Sequence, residues 1–128
     1  MKYYSAIKYR LLLSFLLFAI CGCKCSAQEI NTDTTSISLD SVKVFTYNLK
    51  GQTASGLWTH KINEPFVAIS RDILHKFPMT SYIELSDCPW AGKFKILDIM
   101  GKLNVNSIDI YYAGKRRNVC FCKIQLVE

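Results

Sequence analysis

Histidine is scarce: there are two in 128 residues, and neither stands beside the Cys-x-Cys pair at Cys120 and Cys122. That pair with one distant cysteine, Cys88, lacks the spacing of a zinc site. No metal and no cofactor are expected, and His60 and His75 read as surface or loop residues. A large excess of one charge is also missing. Of 16 Lys and Arg, four (Lys2, Lys8, Arg10 and Lys24) precede Gln28, which leaves 12 against 10 Asp and Glu and a net of +2. This balance excludes a strongly basic nucleic-acid binder. The short cluster Lys115-Arg116-Arg117 reads as a solvated turn. No internal repeat is visible. The apolar run Leu11 to Ile20 has ten residues, against the roughly 20 that a spanning helix needs.

What the front of the chain does have is an export signature. A basic stretch from Met1 to Arg10 precedes that apolar core, and small residues follow it. Cys25-Ser26-Ala27 is a processing site that frees Gln28, so residues 1–27 read as a signal peptide. Ile20-Cys21-Gly22-Cys23 resembles a bacterial lipobox, with the signal ending at Gly22 and Cys23 as the alternative lipidation site. Cleavage after Ala27 is favoured, because Cys21 sits awkwardly inside the lipobox. The expected location is the periplasm or the outer-membrane-anchored envelope of a bacterium, with membrane contact only through such a lipid. Residues 28–41 are polar and read as a flexible linker.

From Val42 the chain has 87 residues, enough for one small domain. Strand signals fill it. Val42 to Tyr47, Phe66 to Ser70, Ser81 to Leu85, Lys93 to Met100, Ser107 to Tyr112 and Cys122 to Val127 are rich in apolar, β-branched and aromatic residues, with glycines between them. Arg71 to Lys76 reads as one helical turn ended before Pro78. Six short strands in so few residues imply an all-β class and a small six-stranded closed β-barrel, which removes exposed edges. Cleavage after Ala27 leaves Cys88, Cys120 and Cys122, an odd number in an oxidising compartment. Cys120 and Cys122 share one strand face, so Cys88 can pair with either.

Two aspartates stand inside apolar strands, in Ile96-Leu97-Asp98-Ile99-Met100 and Ile108-Asp109-Ile110. A carboxylate there is costly unless it is compensated or functional. Lying on consecutive strands, the pair can meet across one groove. Their structural alternative is to bind backbone N–H groups. Tyr47, Trp58 and Trp90 lie in or beside loops, where sugars are met by stacking, although a Trp in so small a domain also serves as packing.

These residues resemble the bacterial 3D (three-aspartate) domain family. Thr53-Ala54-Ser55-Gly56 after Thr46-Tyr47-Asn48 is similar to its opening. Val67-Ala68-Ile69-Ser70-Arg71-Asp72, then Phe77-Pro78 with Tyr82-Ile83-Glu84-Leu85, resembles its next stretch. The segments around Asp98 and Asp109 resemble its acidic strands, and Lys123-Ile124-Gln125-Leu126 its last. The resemblance spans residues 42–128 apart from the final residue. It implies a double-psi β-barrel, related to rare lipoprotein A, expansins and membrane-bound lytic transglycosylase A, with peptidoglycan glycan strands as partner. Ser70 stands where that family has its first aspartate, and Asp72 would face the same side if the strand continued.

The resemblance implies an enzyme that cleaves glycan strands with an aspartate as general acid and base. Apolar neighbours make Asp98 the better proton donor, and Asp109 would orient substrate or tune it. Tyr47, Thr53, Ser55, Asp72, Trp90 and Lys102 are the expected substrate contacts. The alternative is a non-catalytic wall-binding or wall-loosening module in the expansin manner; a third reading is an inhibitor or adaptor that keeps only the barrel. A monomer is expected.

Overall fold

The computed structural model describes residues 35–115 and 117–127. The processing sites, Cys23 and most of the linker therefore lie outside the described residues. Alternation of apolar and polar side chains sets up six strands: β1 Ser38–Tyr47, β2 Phe66–Ile69, β3 Tyr82–Ser86, β4 Gly92–Ile99, β5 Ser107–Tyr111 and β6 Cys120–Val127. They close into a barrel in the order β1-β5-β2-β4-β3-β6. β1 runs parallel to β5 and β2 parallel to β4, and the other neighbours are antiparallel. The fold is all-β, with 46% strand and 3% helix among the described residues.

The interior is filled by one residue in two from each strand. Val42 and Val44 of β1, Val67 and Ile69 of β2, Ile83 and Leu85 of β3, Ile96 of β4, Ile108 and Ile110 of β5, and Cys122 and Ile124 of β6 form one cluster, each at most 2% exposed. Each such aliphatic side chain contributes about 1.5–3 kcal/mol through burial. Another cluster lies on the opposite face of the sheet. It comprises Tyr47, Phe66, Ala68, Leu97 and Met100, with Phe45, Ile62 and Tyr111 packed against it. Phe66 and Tyr111 stack at 4.8 Å between ring centroids, and Tyr47 meets both edge-on.

Two local readings change. β1 begins at Ser38 rather than Val42, so the end of the supposed linker is strand. Its polar alternation there reflects pairing with β6, broken by an irregularity between Leu39 and Val42. Arg71 to Lys76 is a run of tight turns, not a helical turn: Ile73, Leu74 and Lys76 donate to the carbonyl three residues back, and only Phe77 reaches four back, to Ile73. The consecutive strands β4 and β5 are not neighbours, because β2 lies between them.

Cys88 is bonded to Cys122, with Cα atoms 5.1 Å apart. This ties the loop after β3 to the middle of β6. Cys120 remains a half-buried thiol whose pKa is pushed up by burial.

Candidate functional site

A bulge in β4 decides where Asp98 points. Val67 of β2 pairs with Ile96, but the next residue, Ala68, pairs with Asp98, so Leu97 is extra. Without it Asp98 would share the parity of Ile96 and enter the core. One inserted residue re-aims the strand, and Asp98 comes out on the face of Ala68. Ala68 also pairs with Asp109 on its other side, and Asp109 with Phe45. Side chains level across neighbouring strands share a face, so Phe45, Asp109, Ala68 and Asp98 form one row. The two aspartates flank the smallest side chain of that row. Their backbones stand two strands apart, about 10 Å at ordinary strand spacing.

Tyr47 follows Phe45 by two residues and so rises on the same face. Its hydroxyl donates to Asp98 Oδ2 at 3.3 Å. Its pKa is raised, first by burial, then by the charge of Asp98 and the hydrogen bond to it, then by the charges of Asp109 and Tyr111. Tyr47 is therefore a neutral phenol that feels both carboxylates.

Asp98 has further partners. Its Oδ1 accepts the N–H of Ala54 at 2.9 Å and that of Ile99 at 2.9 Å. The Ala54 bond fastens a loop onto the bulge, helped by Ser55 N–H donating to Leu97 O at 3.1 Å. The loop is preformed. Gly51 and Thr59 exchange bonds, Thr53 N–H reaches Leu57 O, and Gln52 bridges Trp58. Gly56 takes a positive φ of 87° there, which glycine adopts without steric cost. The hydroxyls of Thr53 and Ser55 bond each other at 2.9 Å, and Thr53 Oγ1 donates to Leu57 O at 3.0 Å. Both shape the loop that covers Asp98. Trp58 stands on this loop, 48% exposed.

Asp109 has its Oδ1 buried. It is half-buried and lines a depression of about 460 Å3 together with Phe45, Met100, Asn104 and Arg117. Asp98 does not line it.

The other expected contacts lie apart. Asp72 follows the end of β2, where the chain turns, so strand alternation does not carry it to the face of Asp98. Its Oδ2 accepts Asn106 N–H at 2.8 Å. Burial works against its charged form, but hydrogen bonds from Ser70, Asn106, its own N–H and that of Ile73 outweigh this and hold its carboxyl below the usual range. It clasps the turn before β5, where Asn106 has a φ of 44°. Ser70, fully buried, receives Ser107 N–H on its hydroxyl at 3.0 Å and donates its own N–H to Ser107 O at 2.9 Å. The position thus extends the β2–β5 pairing. Lys102 is exposed on the turn after β4. Trp90 packs partly against the core and meets Tyr112 edge-on at 5.2 Å.

Sequence reasoning missed the Ala54 N–H, because a backbone donor leaves no mark in composition. It also read Arg117 as part of a solvated turn, whereas its guanidinium lies over the rings of Trp90 and Tyr112. Among the described residues no three side chains of metal-binding type come together. No protein-family model, curated protein or solved structure matches the chain.

Proposed function

We propose that this protein is exported to a bacterial cell envelope and acts on the glycan strands of peptidoglycan, in the manner of a lytic transglycosylase. The observation that carries this reading is the row on the outer face: Asp98 and Asp109 on either side of Ala68, with the Tyr47 phenol bonded to the first. The resemblance to the 3D domain family supports it. The two parallel pairs in an otherwise antiparallel barrel favour the double-psi form that the resemblance implies.

The chemistry needs one proton donor on the leaving oxygen. Asp98 protonates the glycosidic oxygen and then takes the proton of the sugar's own 6-hydroxyl. That oxygen attacks the anomeric carbon, and an anhydro ring closes as the chain leaves. Tyr47 holds Oδ2, while Asp109 faces the adjoining depression and orients the sugar. The leader, cleaved after Ala27 or lipidated at Cys23, delivers the domain to the wall.

One observation favours a different reading, a non-catalytic wall-binding module. Asp98 already accepts two backbone N–H groups and a phenol, which is how a carboxylate fastens a loop. Incubation of the protein with purified sacculi separates the two readings. The enzyme releases anhydro-muropeptides detectable by mass spectrometry; the module is retained on the sacculi and releases none. A protein that neither binds nor releases refutes both.

A further inference from the structure

Arg117 lies on the chain that returns from β5 to β6. Its backbone is fixed by the N–H donating to Thr46 Oγ1 at 3.2 Å. Its guanidinium lies over the ring of Trp90, 5.1 Å from the centroid, and over that of Tyr112 at 5.4 Å. These rings meet edge to face at 71° and form a corner. Both are anchored. Trp90 follows Cys88 by two residues, and Cys88 is bonded to Cys122. Tyr112 donates its N–H to the carbonyl of Tyr47 at 2.8 Å. Gly114 lets the chain pass over the Tyr112 ring, since a Cβ there would collide with it.

Contact with the rings takes up none of the guanidinium's five N–H donors as ordinary hydrogen bonds, which leaves them for another partner. Among the described residues Arg117 makes no ion pair. It also stands at the boundary of two depressions. One, about 460 Å3, holds Asp109. The other, about 440 Å3, is lined by Pro89, Trp90, Asn118 and Cys120. Each falls within the ordinary range of small-ligand sites. A chain laid across Asp109 towards Trp90 must pass this cation.

We infer that Arg117 is a carboxylate-recognition residue, and that the substrate class is glycan still carrying its peptides. This rests on the proposed action on peptidoglycan. Sugar rings whose lactyl groups are amidated offer the fork only neutral hydroxyl and acetamido oxygens, whereas the peptide stems of peptidoglycan carry carboxylates in the geometry that an arginine takes bidentately. Phosphate, as in wall polymers or lipid headgroups, is the other anion the fork accepts.

The test measures binding of the full chain to intact sacculi and to immobilised glycan strands stripped of peptides by an amidase, with the lactyl carboxylates so exposed capped as methylamides, both freed of phosphate polymers by acid. Wild type is expected to bind the intact material about tenfold more tightly, the scale of one charged hydrogen-bonded pair. Arg117→Ala and Arg117→Gln should both remove that preference and leave binding to stripped glycan unchanged. Raising salt should erode the preference in wild type alone. Matched thermal midpoints show that the variants fold; should Arg117→Ala not fold, Arg117→Gln decides. Equal binding of the two materials by wild type overturns the inference while leaving the proposed function standing. So does a loss on both materials with either folded variant. A preference that appears only before the phosphate polymers are removed assigns Arg117 to phosphate and overturns it too. Retention on neither material refutes the proposed function, and the inference falls with it.

Discussion

Asp98 and Asp109 share a row on one face of the sheet, yet the loops beside them are held by different physics. The loop over Asp98 is fastened by polar contacts: Ala54 N–H on the carboxylate, Ser55 N–H on the bulge, and the Thr53 and Ser55 hydroxyls on each other. The chain beside Asp109 is held by ring contacts around Arg117, with the Cys88–Cys122 bond behind Trp90. Asp98 is part of the fastening, whereas Asp109 faces a depression. Two residues of one type, flanking one alanine, thereby have different surroundings: Asp98 is tied into a loop, and Asp109 lines a depression; under the proposed function the first would couple loop order to chemistry and the second would border the substrate.

The largest expected effect on stability lies on the Asp109 side. Cys88→Ala opens a cross-link spanning 34 residues and should cost about 3–4 kcal/mol of unfolding free energy on the chain-entropy scale, read as a lower urea midpoint. It should raise hydrogen exchange around Trp90 and leave the relative protection of the Ala54 amide unchanged. Loosening of both loops together would mean that they are one cooperative unit. Wild type beginning at Gln28, unfolded in denaturant, should titrate as a single thiol, from Cys120.

A smaller loss should follow Asp98→Ala, which deprives the two N–H groups and the Tyr47 hydroxyl of their acceptor. About 1–3 kcal/mol is expected, with faster exchange of the Ala54 and Ile99 amides. If Asp109→Ala cost as much and freed the same amides, the two carboxylates would not be distinguished by their loops.

How much of this could be read from the chain depends on the kind of interaction. The six strands were legible because Val42-Lys43-Val44 and Ile108-Asp109-Ile110 alternate. Closure into a barrel followed from strand number. Strand order did not, since β2 enters between β4 and β5 through long-range pairing that no local pattern encodes. The bulge was hidden as well: in Ile96-Leu97-Asp98-Ile99-Met100 every neighbour of the aspartate is apolar, and nothing marks Leu97 as the extra residue. The choice of Cys122 over Cys120 was equally illegible, because both lie on one face of β6. Asp72 resembled a substitute for an aspartate at Ser70 only while β2 was taken to run on; the chain turns there instead.

The smallest effect expected is a pH dependence away from the row. Asp72 has its folded-state pKa depressed, so its contribution is present above the ordinary carboxylate pKa, near 4, and is lost as pH falls through the lower folded value. Because Asp72 is exposed, the contribution is modest. Thermal midpoints of wild type and Asp72→Asn should differ at neutral pH and converge in acid. A gap that persists at low pH would show that the hydrogen-bond geometry, not the charge, holds the Asn106 turn.

The central claim is that Asp98 moves a proton in glycan cleavage while it also fastens a loop. Asp98→Asn separates these roles, since the amide oxygen can still accept the Ala54 and Ile99 N–H groups and the amide N–H can be shared with Tyr47. The decisive measurement is the yield of anhydro-muropeptides from purified sacculi, by mass spectrometry, for wild type and this variant at matched sacculus binding and matched thermal midpoint. The account predicts release by wild type and a fall of at least about 100-fold in the variant, the lower end of what a general acid supplies. Equal release by the two, or a wild type that binds sacculi and releases nothing, would contradict it.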